Sequence, residues 1–139
     1  MLPASWNSLS YMHKYLMYVQ NQYICFMAMS NELFKGTLQT IILNLLDQNE
    51  KMYGYEITQK VKSITQGELL LKEGALYPAL HKLEAEGLLE TSTEIVDNRV
   101  RKYYSLSKDG EKVMSNKLQE AKDFISNLQL LLNLKPTLS

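Results

Sequence analysis

Apolar residues recur at helical spacing from Leu33 onward. Leu33, Phe34, Leu38, Ile41, Ile42, Leu45 and Leu46 share one face, which predicts an amphipathic helix. The polar run DQNEKMYGY, residues 47–55, ends it. YEITQKVKSI, residues 55–64, predicts a shorter second helix with Ile57, Val61 and Ile64 on one side. TQGELLLKEG then leads to a third helix expected over Ala75–Glu86. LLETSTEIV and VRKYYSLS are rich in β-branched and aromatic residues, and the Asp97-Asn98 pair lies near their junction. That pattern predicts a β-hairpin. Ser107 can cap a long last helix reaching about Leu134, with Pro136 just beyond. The expected fold is mainly α with a small β-hairpin.

On a helical wheel of the third helix, Leu76, Ala79, Leu80 and Leu83 form a core face. Tyr77, Pro78, His81, Lys82 and Ala85 form the opposite face. Pro78 is expected in the first turn, where a missing N–H matters least, and Gly74 is expected to let the chain turn sharply into the helix. Such an outer face suits a DNA major groove, with phosphates meeting the helix N-terminus and flanking lysines. It equally suits packing of Tyr77 and His81 against a neighbouring helix. The second and third helices together read as a helix-turn-helix, with the third as recognition helix. The hairpin adds Arg99, Arg101 and Lys102 beside its turn. A cationic hairpin after a helix-turn-helix is the layout of a winged helix, although charge also protects an ordinary strand edge.

Along the last helix, Met114, Leu118, Ala121, Ile125, Leu128 and Leu132 alternate spacings of four and three, the seam of a coiled coil. Phe124 and Leu131 widen it. A second copy is the simplest cover for so wide a stripe, and a two-fold dimer would match a palindromic DNA site.

Composition narrows the function. The chain has 139 residues, 45% of them hydrophobic, and zero formal net charge. One folded core is expected, without the strongly basic balance of many nucleic-acid proteins; a neutral chain can still carry one basic face. Cys25 is the single cysteine, so no internal disulfide forms and a cytoplasmic setting is expected. Residues 1–30 contain no acidic residue and a single lysine, Lys14. Their apolar run is broken by Gln20, Asn21 and Gln22, which argues against a membrane span, and no signal-peptide cleavage pattern follows. His13 and His81 are the only histidines. With no carboxylate pair, phosphate loop or metal-ligand spacing, neither an enzyme nor a metal or cofactor is expected.

Three blocks, MYGYEI (52–57), KEGALYPALHKLEAEGLL (72–89) and NRVRKYYSLSKDG (98–110), together resemble the signature of PadR-type bacterial transcriptional regulators. The resemblance spans residues 31–134. It implies a winged helix-turn-helix over 31–106, a dimerisation helix over 107–134 and a short tail over 135–139. It implies a homodimer that represses promoters by binding double-stranded DNA. Carried over, the DNA-facing residues are Tyr77, His81, Lys82, Arg99, Arg101 and Lys102. Charge and placement add Lys60, Lys62 and Lys72 as phosphate contacts. The chain departs from the pattern at Ala75, where Ser or Thr is common, and at Asn98 and Val100, where Gly and Arg are common. The single C-terminal helix resembles the short subfamily, some of whose members bind flat aromatic compounds between subunits. That allows a small aromatic effector, although Phe124 is the only aromatic on this helix. Residues 1–30 have no counterpart in the pattern, and residues 1–28 are expected to be dispensable for folding and DNA binding. The main alternative is a winged helix used as a protein-interaction module.

Overall fold

In the computed structural model, residues 34–135 are described. The chain divides into two units, Met1–Lys35 and Gly36–Ser139, and the fold below is that of the second. Expectations for residues 1–30, for Leu33 and for the tail from Pro136 lie outside the described residues.

Helix α1 covers residues 34–48. It buries Leu38, Ile42, Leu43, Leu45 and Leu46; Ile41 is half-buried. A short strand β1 (Met52–Tyr53) leads directly into α2 (Gly54–Ile64). Glu56 accepts a hydrogen bond from the Tyr53 backbone N–H at 3.0 Å, so the third helical residue satisfies a donor at the helix entrance. Ile57 and Val61 are buried, but Ile64 is 61% exposed, against expectation. Ile64 is the last helical residue, and the chain turns away through left-handed Gln66 and Gly67 before anything covers it.

Helix α3 runs from Glu73 to Ala85. It starts two residues earlier than expected, with Lys72 as N-cap. Pro78 therefore sits at the sixth helical position, not in the first turn. Gly74 lies within the helix, with no positive φ, and so does not make a sharp turn. Its carbonyl is the one that the Pro78 ring crowds and deprives of a donor. Leu71, in the connecting segment, is buried with the core.

β2 (Leu89–Val96) and β3 (Arg99–Leu106) form an antiparallel hairpin with Val96 opposite Arg99. Asp97 and Asn98 both have left-handed φ, 51° and 59°, the geometry of a type I′ turn whose twist matches the strands. β1 pairs with β3, placing Met52 opposite Tyr104 and Tyr53 opposite Tyr103. The sheet thus has three strands in the order β1-β3-β2. The two-residue β1 is too short for an alternating pattern, which is why the sequence predicts only a hairpin.

Helix α4 (Lys108–Leu131) has Ser107 as N-cap, its Oγ accepting from the Gly110 N–H at 3.0 Å. It ends three residues before the expected Leu134. Asn133 is left-handed, and the Asn133 and Leu134 N–H groups return to the carbonyls of Leu130 and Gln129. This is a Schellman closure, and α2 and α3 end the same way at Gln66 and Gly87.

Candidate nucleic-acid interface

Of the expected core face of α3, Leu76, Leu80 and Leu83 have no exposed surface, and Ala79 is half-buried. That leaves Tyr77, His81 and Lys82 on the outer face. Tyr77 also leans on α2, because its hydroxyl would lie 2.7 Å from a β-carbon on Gly54. The absent side chain at Gly54 gives the ring its place.

The wing lies beside this face. Side chains alternate along β3. Val100, Lys102 and Tyr104 share one face, and Tyr104 is buried. Arg99, Arg101 and Tyr103 share the other. The expected cluster of Arg99, Arg101 and Lys102 is therefore divided between two faces. Arg101 stacks over the Tyr53 ring at 4.7 Å, and Tyr53 meets Tyr103 edge-on at 5.6 Å. These contacts hold the guanidinium against the junction of β1 and α2. Lys51 pairs with Glu94 and lies over the Tyr103 ring.

Lys102 takes a different partner. Its Nζ donates to both oxygens of Glu84 on α3, at 3.0 and 3.2 Å, and lies 5.2 Å from the Tyr104 ring centre. The same carboxylate accepts from Thr91 Oγ1 at 3.4 Å and lies 3.9 Å from His81 Nδ1. The hydrogen bond from Lys102 holds the Glu84 carboxyl below its ordinary range, and that bond raises the Lys102 ammonium. Burial raises the Tyr104 phenol.

One groove of about 350 Å³ gathers these parts: Tyr53 and Gly54, Tyr77 and His81, and Val100, Arg101, Lys102 and Tyr104. Four of the expected DNA-facing residues thus meet on one concave surface. Arg99 sits at the wing turn, and Lys72 stands at the α3 N-terminus beside Glu73. Lys60 instead lines a separate shallow hollow with Asn49, Lys51 and Glu56. Lys62 is in the last turn of α2. Tyr53, Gly54 and Glu84 were not expected at the site. The MYGY run hinted at the first two; Glu84 read only as a helix-surface charge.

Among the described residues, no cluster of potential metal ligands occurs and no helix is long and apolar enough to cross a membrane.

Comparison with known proteins agrees with this architecture. Transcriptional regulator Rv3488 of Mycobacterium tuberculosis is 31% identical over 84 residues, which cover 60% of this chain and 75% of that protein. An uncharacterized protein of Lysinibacillus sphaericus is 31% identical over 91 residues, covering 65% of this chain and 83% of the relative. The crystal structure of a PadR family transcriptional regulator from Eggerthella lenta superposes with a TM-score of 0.66 at 25% identity, covering 85% of this chain and 99% of that one. A transcriptional regulator from Clostridium thermocellum gives 0.64 at 28% identity, covering 75% and 99%. Residues 42–116 match the model of the transcriptional regulator PadR-like family. The hairpin-flanked helix-turn-helix is thus the winged helix of a transcriptional regulator, and this chain belongs to the PadR-like family.

Proposed function

We propose that this protein is a sequence-specific DNA-binding regulator that represses transcription as a homodimer on a palindromic promoter site. The groove shared by Tyr77 and His81 of α3 with Arg101 and Lys102 of the wing carries this reading. The outer face of α3 enters the major groove, and Tyr77 and His81 meet base edges or nearby phosphates. Arg101, Arg99 and Lys72 meet the backbone, with Lys82, Lys60 and Lys62 as outlying phosphate contacts.

The homodimer reading rests on α4. Met114 is buried, but farther along Phe124, Ile125, Leu131 and Leu132 are all more than half exposed. Among the described residues nothing covers this stripe. An apolar face of that kind marks an association surface, and its heptad seam suits a second copy.

Selection of bound duplexes from a random-sequence pool tests the reading. Enrichment of an inverted repeat supports it, and no enrichment at low salt contradicts it. A second reading, a winged helix that binds a protein, is favoured by Ile95 and Val100. These residues face each other near the wing tip and are 77% and 71% exposed. That reading predicts no selected DNA.

A further inference from the structure

We propose that Glu84 is a positioning residue of the DNA-binding surface: it holds Lys102 in a fixed ion pair, withholds that cation from phosphate, and so favours sequence discrimination over general affinity for DNA. This rests on the DNA-binding reading above. Glu84 projects from the recognition helix toward the wing. Its carboxylate gathers Lys102, Thr91 and His81 within 4 Å. Lys102 and Thr91 come from different strands of the hairpin, so one carboxylate ties α3 to both.

The consequence follows from charge. A lysine beside a DNA groove ordinarily meets a phosphate and releases a counterion, which strengthens binding to every sequence alike. Here both carboxylate oxygens already take the Lys102 ammonium, and the Tyr104 ring lies beneath it. The chain has no net positive charge to spare. Keeping Lys102 paired lowers affinity for every sequence alike, and discrimination then depends on the geometry that the pair sets. The tie also fixes the distance between helix and wing, so Arg101 and the outer face of α3 present one geometry to the duplex.

Glu84→Gln tests this, because glutamine keeps the shape and can still accept from Lys102 while removing the charge. Binding is read by fluorescence anisotropy on a selected duplex and a scrambled one across a salt series. Freed Lys102 should add about one phosphate contact per protomer, two for the dimer. Affinity for scrambled DNA should then rise about thirtyfold at 0.15 M salt, and the slope of log affinity against log salt should steepen by about 1.8. The freed cation strengthens both duplexes alike, but the loosened tie between α3 and the wing costs the selected duplex alone, so the ratio of specific to scrambled affinity should fall. Adding Lys102→Gln should return the slope to the wild-type value. An unchanged slope in Glu84→Gln, or a steepening that persists without Lys102, overturns the proposal while leaving the DNA reading intact. A wild type that binds neither duplex removes both. Should Glu84→Gln not fold, the wild type still decides. The side-chain NMR signal of Lys102 should barely move when DNA is added, and a large shift would mean that phosphate takes the ammonium from Glu84.

Discussion

The Tyr77 hydroxyl occupies the space that a side chain on Gly54 would fill: a β-carbon there would stand 2.7 Å from the oxygen and 3.0 Å from the ring carbon bearing it. Tyr77 belongs to α3 and Gly54 opens α2, the helix before it, so this contact sets how the tyrosine is presented. Gly54→Ala should displace the ring outward, which the far end of a side chain can do at low cost. Alanine also suits a helix better than glycine. The melting temperature should therefore change by only a few degrees, while affinity for the selected duplex falls as it does in Tyr77→Ala. Calorimetry beside anisotropy checks the pair; a large loss of stability with unchanged DNA affinity would show that the contact is purely structural.

Gly110 makes a stricter demand. A β-carbon there would lie 2.1 Å from the Leu88 carbonyl oxygen, which also accepts from the Ser107 N–H at 3.1 Å. Backbone cannot swing aside as a tyrosine can. Gly110→Ala should destabilise the domain by about 3 kcal/mol, lowering the melting temperature by roughly 10 °C or more. A thermal scan decides, and a shift of a degree or two would mean that α4 docks elsewhere.

The wing turn holds two non-glycine residues in left-handed backbone. Asn tolerates that conformation and a β-branched residue does not. Asn98→Val should cost about 1–2 kcal/mol, and Asn98→Gly should be neutral or slightly stabilising. Chemical denaturation of the two variants measures the difference.

Ile125 lies on the α4 seam and is more than half exposed in the single chain. An aspartate there is hydrated in a monomer but unpaired and dry between two helices. Ile125→Asp should therefore keep the winged-helix fold and abolish the dimer. Sedimentation at several concentrations, with circular dichroism as the fold control, reads both; a persisting dimer places the interface off this stripe.

In the sequence, the β-branched and aromatic runs on either side of Asp97-Asn98 specify the hairpin, because two residues that accept positive φ are what a two-residue turn requires. The core face of α3 is equally plain, since Leu76, Leu80 and Leu83 repeat at the helical period and leave Tyr77 and His81 outside. The bounds of α3 are not. Gly74 and Pro78 read as a helix boundary, yet the helix starts at Glu73 and runs through both. The end of α4 depends on Asn133 adopting a left-handed conformation that most asparagines never visit. At the site, the sequence groups Arg99, Arg101 and Lys102 beside the turn, and only the pairing of β3 divides them between two faces. What the chain conceals is Glu84, because its partner lies 18 residues away on another element and only the assembled fold brings the two together.

On this reading helix and wing divide the work on DNA, and a single salt-series titration separates their contributions. Wild type, Tyr77→Ala and Arg101→Ala are each measured by anisotropy on a selected duplex and a scrambled duplex between 50 and 200 mM salt. Arg101→Ala should weaken both duplexes alike and flatten the salt slope by about 1.8, one lost phosphate contact in each protomer of the dimer. Tyr77→Ala should leave the slope unchanged and weaken the selected duplex by about 1–3 kcal/mol more than the scrambled one. Equal losses on both duplexes for Tyr77→Ala, with the slope unchanged for Arg101→Ala, would contradict it.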